Sequence, residues 1–163
     1  MPRAVSAFDT AVFSEDHSYR YLLRRRVGDS EKRVLFVMLN PSQADEERND
    51  PTIRRCIGFA RGWGFGVLEV VNLFAFMSTN PKVLLEAEDP VGSGNDGAIR
   101  TAMQSADLIV LAWGNNGLLH EKRATAVTAM VRKAEQPYCL GLTVKGAPRH
   151  PLRLPKTTTL EPF

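Results

Sequence analysis

In Arg33-Val-Leu-Phe-Val-Met-Leu-Asn40-Pro41-Ser42-Gln43-Ala-Asp45, the apolar residues Val34 to Leu39 run without alternation and then stop at an Asn-Pro pair. An unbroken apolar run of this length fits a strand covered on both faces, inside a parallel sheet. Pro41 supplies no ladder N–H and ends it. In open α/β sheets, ligands bind beyond the carboxyl ends of the strands, so the polar residues after Leu39 are the first place to look for chemistry.

Working outward, Asp50-Pro51 opens a helix, with Asp50 as the cap and Pro51 at the first position, where a missing N–H costs least. Ile53, Cys56, Ile57 and Ala60 recur at helical spacing on it, and the glycines from Gly62 to Gly66 close it. Val67 to Val71 reads as a second strand ending at Asn72-Leu73-Phe74. Asn80-Pro81 starts a short helix, and Gly92 to Asn95 open another, with Ile99, Ala102 and Met103 on its buried stripe. Leu108 to Ala112 is a third strand, ending at Trp113-Gly114. A helix from about Leu118 to Ala134 follows, then a fourth strand over Pro137 to Leu142. Upstream, Thr10 to Phe13 and Tyr19 to Arg25 make a hairpin, the second strand of which is expected at a sheet edge with one wet face. The expected fold is α/β: a three-layer sandwich with a central four-stranded parallel sheet plus an N-terminal β-hairpin, in one domain spanning residues 1–163.

Composition agrees with an ordinary globular chain, with 44% hydrophobic and 24% charged residues. The net charge of +3 permits nucleic-acid contact without demanding it. Arg20, Arg24, Arg25, Arg26, Lys32 and Arg33 cluster before the first long strand, and Lys145, Arg149, Arg153 and Lys156 near the C-terminus. Together they form either an anion-binding face or solvated surface charge. Cys56 and Cys139 read as buried free thiols. No apolar stretch suits a signal peptide or a membrane span, so a cytoplasmic protein is expected. No P-loop, dinucleotide fingerprint, HExxH or GxSxG occurs, and His17, His120 and His150 are too scattered for a metal site. Neither metal nor cofactor is expected.

Parallel strands bring their carboxyl ends to one rim. Four loops converge there, rich in Asn, Gly, Pro, aromatic and basic residues, and they suit a planar polar ligand such as a nucleobase. Asn offers paired donor and acceptor groups, and Phe74 or Trp113 offers a stacking face. Each residue also has a plainer reading. Asn40 and Asn72 can bond loop backbone, Asp50 can be only a cap, and Asp45 can be a solvated carboxylate. Phe74 and Trp113 can be core, and Arg54 and Arg55 solvated helix charges. His150 lies in a loop without apolar pattern and is read as functional.

The motifs Asn40-Pro41-Ser42, Asn49-Asp50-Pro51-Thr52, Asn72-Leu73-Phe74, Ala112-Trp113-Gly114 and Pro148-Arg149-His150-Pro151-Leu152 closely resemble domain-of-unknown-function family 1643, across nearly the whole chain. More distantly, Asn40-Pro41, Asn72, Trp113-Gly114 and His150-Pro151 stand in the same order as motifs of the uracil-DNA glycosylase superfamily. That resemblance implies a four-stranded parallel sheet and cleavage of an N-glycosidic bond in damaged or modified nucleic acid. In it Asn40 positions a water, Asn72 reads the edge of a flipped base, and His150 bonds a base carbonyl or the leaving anion. Phe74 would stack on the base. Met38, Leu39 and Leu152 depart from the glycosylase pattern in ways that bear on uracil specificity. Asp45 or Asp50 then stands as an alternative base or water-orienter, with Arg54, Arg55, Lys145 and Arg149 as phosphate ligands. Two other readings remain open: a non-catalytic nucleotide or nucleic-acid binding module, and a hydrolase or transferase acting on free nucleotides.

Overall fold

The computed structural model describes residues 8–163. Its elements, in chain order, are β1 (Thr10–Phe13), β2 (Arg20–Arg26), β3 (Arg33–Met38), α1 (Pro51–Gly62), β4 (Val67–Asn72), a 3-10 turn (Pro81–Leu85), α2 (Asn95–Ser105), β5 (Leu108–Leu111), a second 3-10 turn (Asn115–His120), α3 (Glu121–Ala134), β6 (Tyr138–Cys139) and β7 (Glu161–Pro162). The strands join one sheet in the order β1-β2-β4-β3-β5-β6-β7. β4, β3, β5 and β6 run parallel to one another. β1, β2 and β7 are antiparallel. The sheet is therefore mixed and seven-stranded: the four parallel strands and the N-terminal hairpin belong to one sheet, to which β7 adds an edge.

The unbroken apolar run in β3 does what it must at the centre of such a sheet. Val34, Phe36 and Met38 point to one face, where α1 packs through Ile53, Cys56, Ile57, Phe59 and Ala60. Leu35, Val37 and Leu39 point to the other, against Ile99 and Met103 of α2 and Val127 and Val131 of α3. Helices thus cover both faces and give three layers. Both Asx-Pro starts are real. Asp50 accepts the N–H of Ile53 and Asn80 that of Lys82, each with proline in the first helical turn.

Three expectations change. First, β2 is not an edge strand, since it lies between β1 and β4. Its alternation is broken by a register slip at Tyr21: Val12 pairs with Leu22, but Phe13 pairs with Arg20. The extra residue turns Arg20 to the α1 face beside Leu23, a re-aiming typical of bulges. Second, the basic cluster is not a free surface. Arg20 and Arg25 are buried. Arg24 and Arg33 pair with the buried Glu69 at 3.2 and 3.4 Å, and Arg26 pairs with Glu31. Third, the fourth strand is only Tyr138–Cys139. At Gly141 the backbone has φ of 93°, and Leu142 turns back to pair with Pro148. Cys56 and Cys139 are buried free thiols, and burial raises the pKa of both. No helix among the described residues is long and apolar enough to cross a membrane.

Candidate functional site

The ladder fixes the rim. Asn72 pairs with Met38, and the parallel bonding continues as Leu73 and Phe74 donate to the carbonyls of Met38 and Leu39, at 2.8 and 3.0 Å. The same register carries Asn72 and Asn40 to one end of the sheet. Beyond β5, Gly114 donates to the Pro148 carbonyl at 2.8 Å and draws in the loop carrying His150. Gly114 has φ of 72° and ψ of −171°, a region essentially restricted to glycine. Asn40, Asp50, Asn72, Trp113 and His150 accordingly line a single cavity of about 260 Å³. Arg20, at the start of β2, lines it too.

Each lining group has a definite state. Asn72 is 2% exposed, and its Nδ2 has no hydrogen-bond partner among the described residues. Its backbone is held from behind, because Asn95 Nδ2 donates to the carbonyls of Asn72 and Leu73, and Arg123 Nε donates to that of Leu73. Arg123 is in turn tied to Asp96 at 2.7 Å. His150 Nδ1 accepts the Leu152 N–H at 3.2 Å, which puts the proton of the neutral ring on Nε2. Burial lowers the His150 pKa, and the charge of Asp50 opposes that shift. The ring is therefore neutral near pH 7, with one N–H to offer. Trp113 is 4% exposed and packs on Gly117, where an added Cβ would lie 2.2 Å from the indole Cδ1.

Asn40 and Asp50 are partly committed to the backbone. Asn40 Nδ2 donates to the carbonyls of Pro41, Ser78 and Phe76, at 3.2, 2.9 and 3.5 Å. Its Oδ1 is bonded to no described residue. Asp50 is buried, and its two oxygens accept the N–H groups of Ile53 and Ala44. It is the cap that the sequence suggests, and it also forms part of the cavity wall.

The other expected residues do not join the cavity lining. Asp45 makes an Asx turn, accepting from the N–H groups of Glu47 and Arg48 and pairing with the Arg48 guanidinium. Burial would raise its pKa, but these contacts outweigh it and hold the carboxyl below its usual value. Phe74 is buried in the core with its ring edge-on to His120. That position withdraws it as a stacking face for a ligand in this cavity. Arg54 donates to the Asn49 carbonyl, and Arg55 lies over the Phe59 ring. Arg149 donates to the Leu142 carbonyl, and Lys145 is exposed at the loop tip. None of these four cations lines the cavity.

Arg20 is the site residue that the sequence reading passed over. It is 2% exposed and donates through Nη1 to the Ala44 carbonyl at 2.9 Å. Its Nε has no partner, and its Nη2 bonds to no described residue. Burial lowers its pKa to about 10, with Asp50 opposing, so it stays a cation at neutral pH. The loop beneath it is secured by Arg25, which donates to the carbonyls of Asp45 and Arg48 and to Asn49 Oδ1. Among the described residues, no group of three or more His, Cys, Asp or Glu side chains could hold a metal ion.

The cavity is therefore small and donor-rich, with apolar walls from Met38, Leu39, Val70 and Trp113. No curated protein and no solved structure matches the chain significantly, so the likeness to uracil-DNA glycosylases rests on the motifs alone. Residues 20–152 match the family "Protein of unknown function (DUF1643)". That match spans most of the chain and includes every residue of the cavity, and the protein belongs to this family.

Proposed function

We propose that the rim cavity recognises a nucleobase and that the protein cleaves an N-glycosidic bond in damaged or modified nucleic acid. One observation carries this reading: Asn72 and Arg20, each with a buried donor that no described residue satisfies (Nδ2 and Nε), line one cavity beside a neutral His150. Unpaired buried polar groups are costly and are retained where a ligand completes them. A volume of about 260 Å³ is at the small end for ligand pockets, which suits a single base.

The chemistry follows from these groups. Breaking the C1′–N bond leaves an oxocarbenium-like sugar and a base that departs with the electron pair. The need is charge stabilisation rather than a strong nucleophile. Asn72 reads the base edge. His150 Nε2–H and the Arg20 guanidinium donate to a base oxygen as negative charge gathers there. Asn40 Oδ1 remains to orient the attacking water. The test is incubation with oligonucleotides carrying a panel of modified bases, followed by alkaline cleavage. Strand breaks at one class of base, lost in Asn72→Ala, support the reading. Intact strands across the panel overturn the cleavage.

A second reading, binding without cleavage, draws on Asn40 and Asp50. Both side chains already serve the backbone, which leaves no free carboxylate to activate water. Tight, salt-sensitive binding with intact strands would favour it. Free nucleotides are less well served, because the four candidate phosphate ligands lie outside the cavity.

A further inference from the structure

Arg20 is the least explained group in the molecule. Its Nη1 is spent on the Ala44 carbonyl. The Nε–Nη2 edge, the fork that matches a carboxylate with two parallel N–H donors, has no protein partner. The nearby negative charge does not fill this role. The oxygens of Asp50 already accept the Ile53 and Ala44 N–H groups, and no ion pair joins Asp50 to Arg20. At the end of this deeply buried side chain the cation keeps donors that no described residue takes up.

We infer that the cavity takes a planar ring bearing a carboxylate, with the two carboxylate oxygens on the Nε–Nη2 edge of Arg20 and the ring edge on Asn72 and His150. This deepens the nucleobase reading and rests on it for the ring, but not for the anion. A carboxylate fits better than a phosphate for three reasons. Among the described residues, Arg20 is the one Lys or Arg in the lining and Asp50 already stands against it, so the site has little positive charge to offer a dianion. The apolar side chains of Leu39, Val70 and Trp113 share the lining and suit the face of a ring rather than the oxygens of a tetrahedral dianion. Asn72 and His150, with the hydroxyls of Ser42, Thr52, Ser78 and Thr79 in the same lining, offer polar groups for the edge of a ring.

The register slip at Tyr21 gives this subsite its location. In unbroken alternation from Leu23, Arg20 would share the α2 side with Leu22, away from the cavity; the slip returns it to the α1 side. The bulge and the idle fork are thus two aspects of one arrangement.

Calorimetric titration of the full chain with uracil-5-carboxylate, its neutral isostere uracil-5-carboxamide, benzoate and inorganic phosphate tests the inference. The carboxylate should bind at least about tenfold tighter than the carboxamide, as expected for a charge-assisted pair of bonds. Arg20→Gln should abolish that preference. Should R20Q fail to fold, Asn72→Asp, which sets a competing carboxylate in the cavity wall, should abolish it instead. Equal binding of carboxylate and carboxamide overturns the subsite and leaves the nucleobase reading standing, as does a preference that survives both variants. Benzoate binding that depends on Arg20, with neither pyrimidine bound, keeps the anion subsite and overturns the nucleobase. Phosphate binding tighter than either carboxylate overturns the carboxylate assignment. No binding by any of the four overturns both.

Discussion

A Cβ added to Gly114 would lie 3.2 Å from the Cβ of His150, so a side chain at 114 would press on the His150 loop. The Gly114 backbone, at φ of 72° and ψ of −171°, independently calls for glycine. Gly114→Ala should cost roughly 1–3 kcal/mol of stability from the backbone alone. It should also push the His150 loop outward. Urea denaturation measures the first effect. Ligand titration measures the second, which should be larger than the stability loss accounts for.

Asp50 serves as both a cap and a cavity wall, and two substitutions separate these roles. Asp50→Ala removes the acceptor for Ile53 and Ala44 and should cost about 1–2 kcal/mol in denaturation. Asp50→Asn keeps an acceptor at the cap and should cost less than half as much. It also removes the negative charge facing Arg20, so an anionic ligand should bind more tightly to D50N than to the native protein.

Arg25 is fully buried and ties together the loop that presents Asp50. Arg25→Met leaves the Asp45 and Arg48 carbonyls and Asn49 Oδ1 without this donor. Charge-assisted bonds of this kind contribute about 1.5–3 kcal/mol each, so a loss of at least about 3 kcal/mol is expected. Hydrogen exchange should accelerate over residues 45–50 before it does so in the central strands. Uniform acceleration across the sheet would contradict a local role.

Burial holds the pKa values of His150 and His120 below the ordinary 6.5. Each is neutral in the fold and binds a proton more readily when unfolded. The stability tied to this is complete above the unfolded value, and it is lost as pH falls through 6.5 toward the lowered folded values. Asp16 and Asp45 are held below 3.8, so their contributions are lost only at more acid pH. The melting temperature should therefore fall between about pH 7 and 5. His150→Asn should reduce the fall without abolishing it, because His120 remains.

How far the sequence could be read depended on whether the cue was local. Val34 to Leu39 announces a central strand because nothing else explains so long an apolar run. Asp50-Pro51 and Asn80-Pro81 announce helix starts because cap and proline act within a single turn. Asn40, Asn72 and Trp113 were legible as rim residues because each stands at or just after the end of its strand, and His150 because it lies in a loop without apolar pattern. Arg20 was not, because a one-residue slip reverses the side on which it falls, and alternation cannot reveal the slip. Arg54 and Arg55 are near the rim in sequence, but helix period turns them from the cavity, Arg55 onto Phe59. Phe74 follows Asn72 closely, yet it packs into the layer under α2 and α3. β7 spans two residues, one a proline, and has no period to detect.

The central claim is that a base occupies the rim cavity against Asn72 and His150. It is tested most directly by titrating free bases into isotopically labelled protein and following the Asn72 side-chain amide, the His150 ring and the Trp113 indole by NMR. All three should shift together and saturably with one class of base, and Asn72→Ala should abolish the shifts at His150. Saturable binding that leaves these three signals unmoved, or no saturable binding by any base, would contradict it.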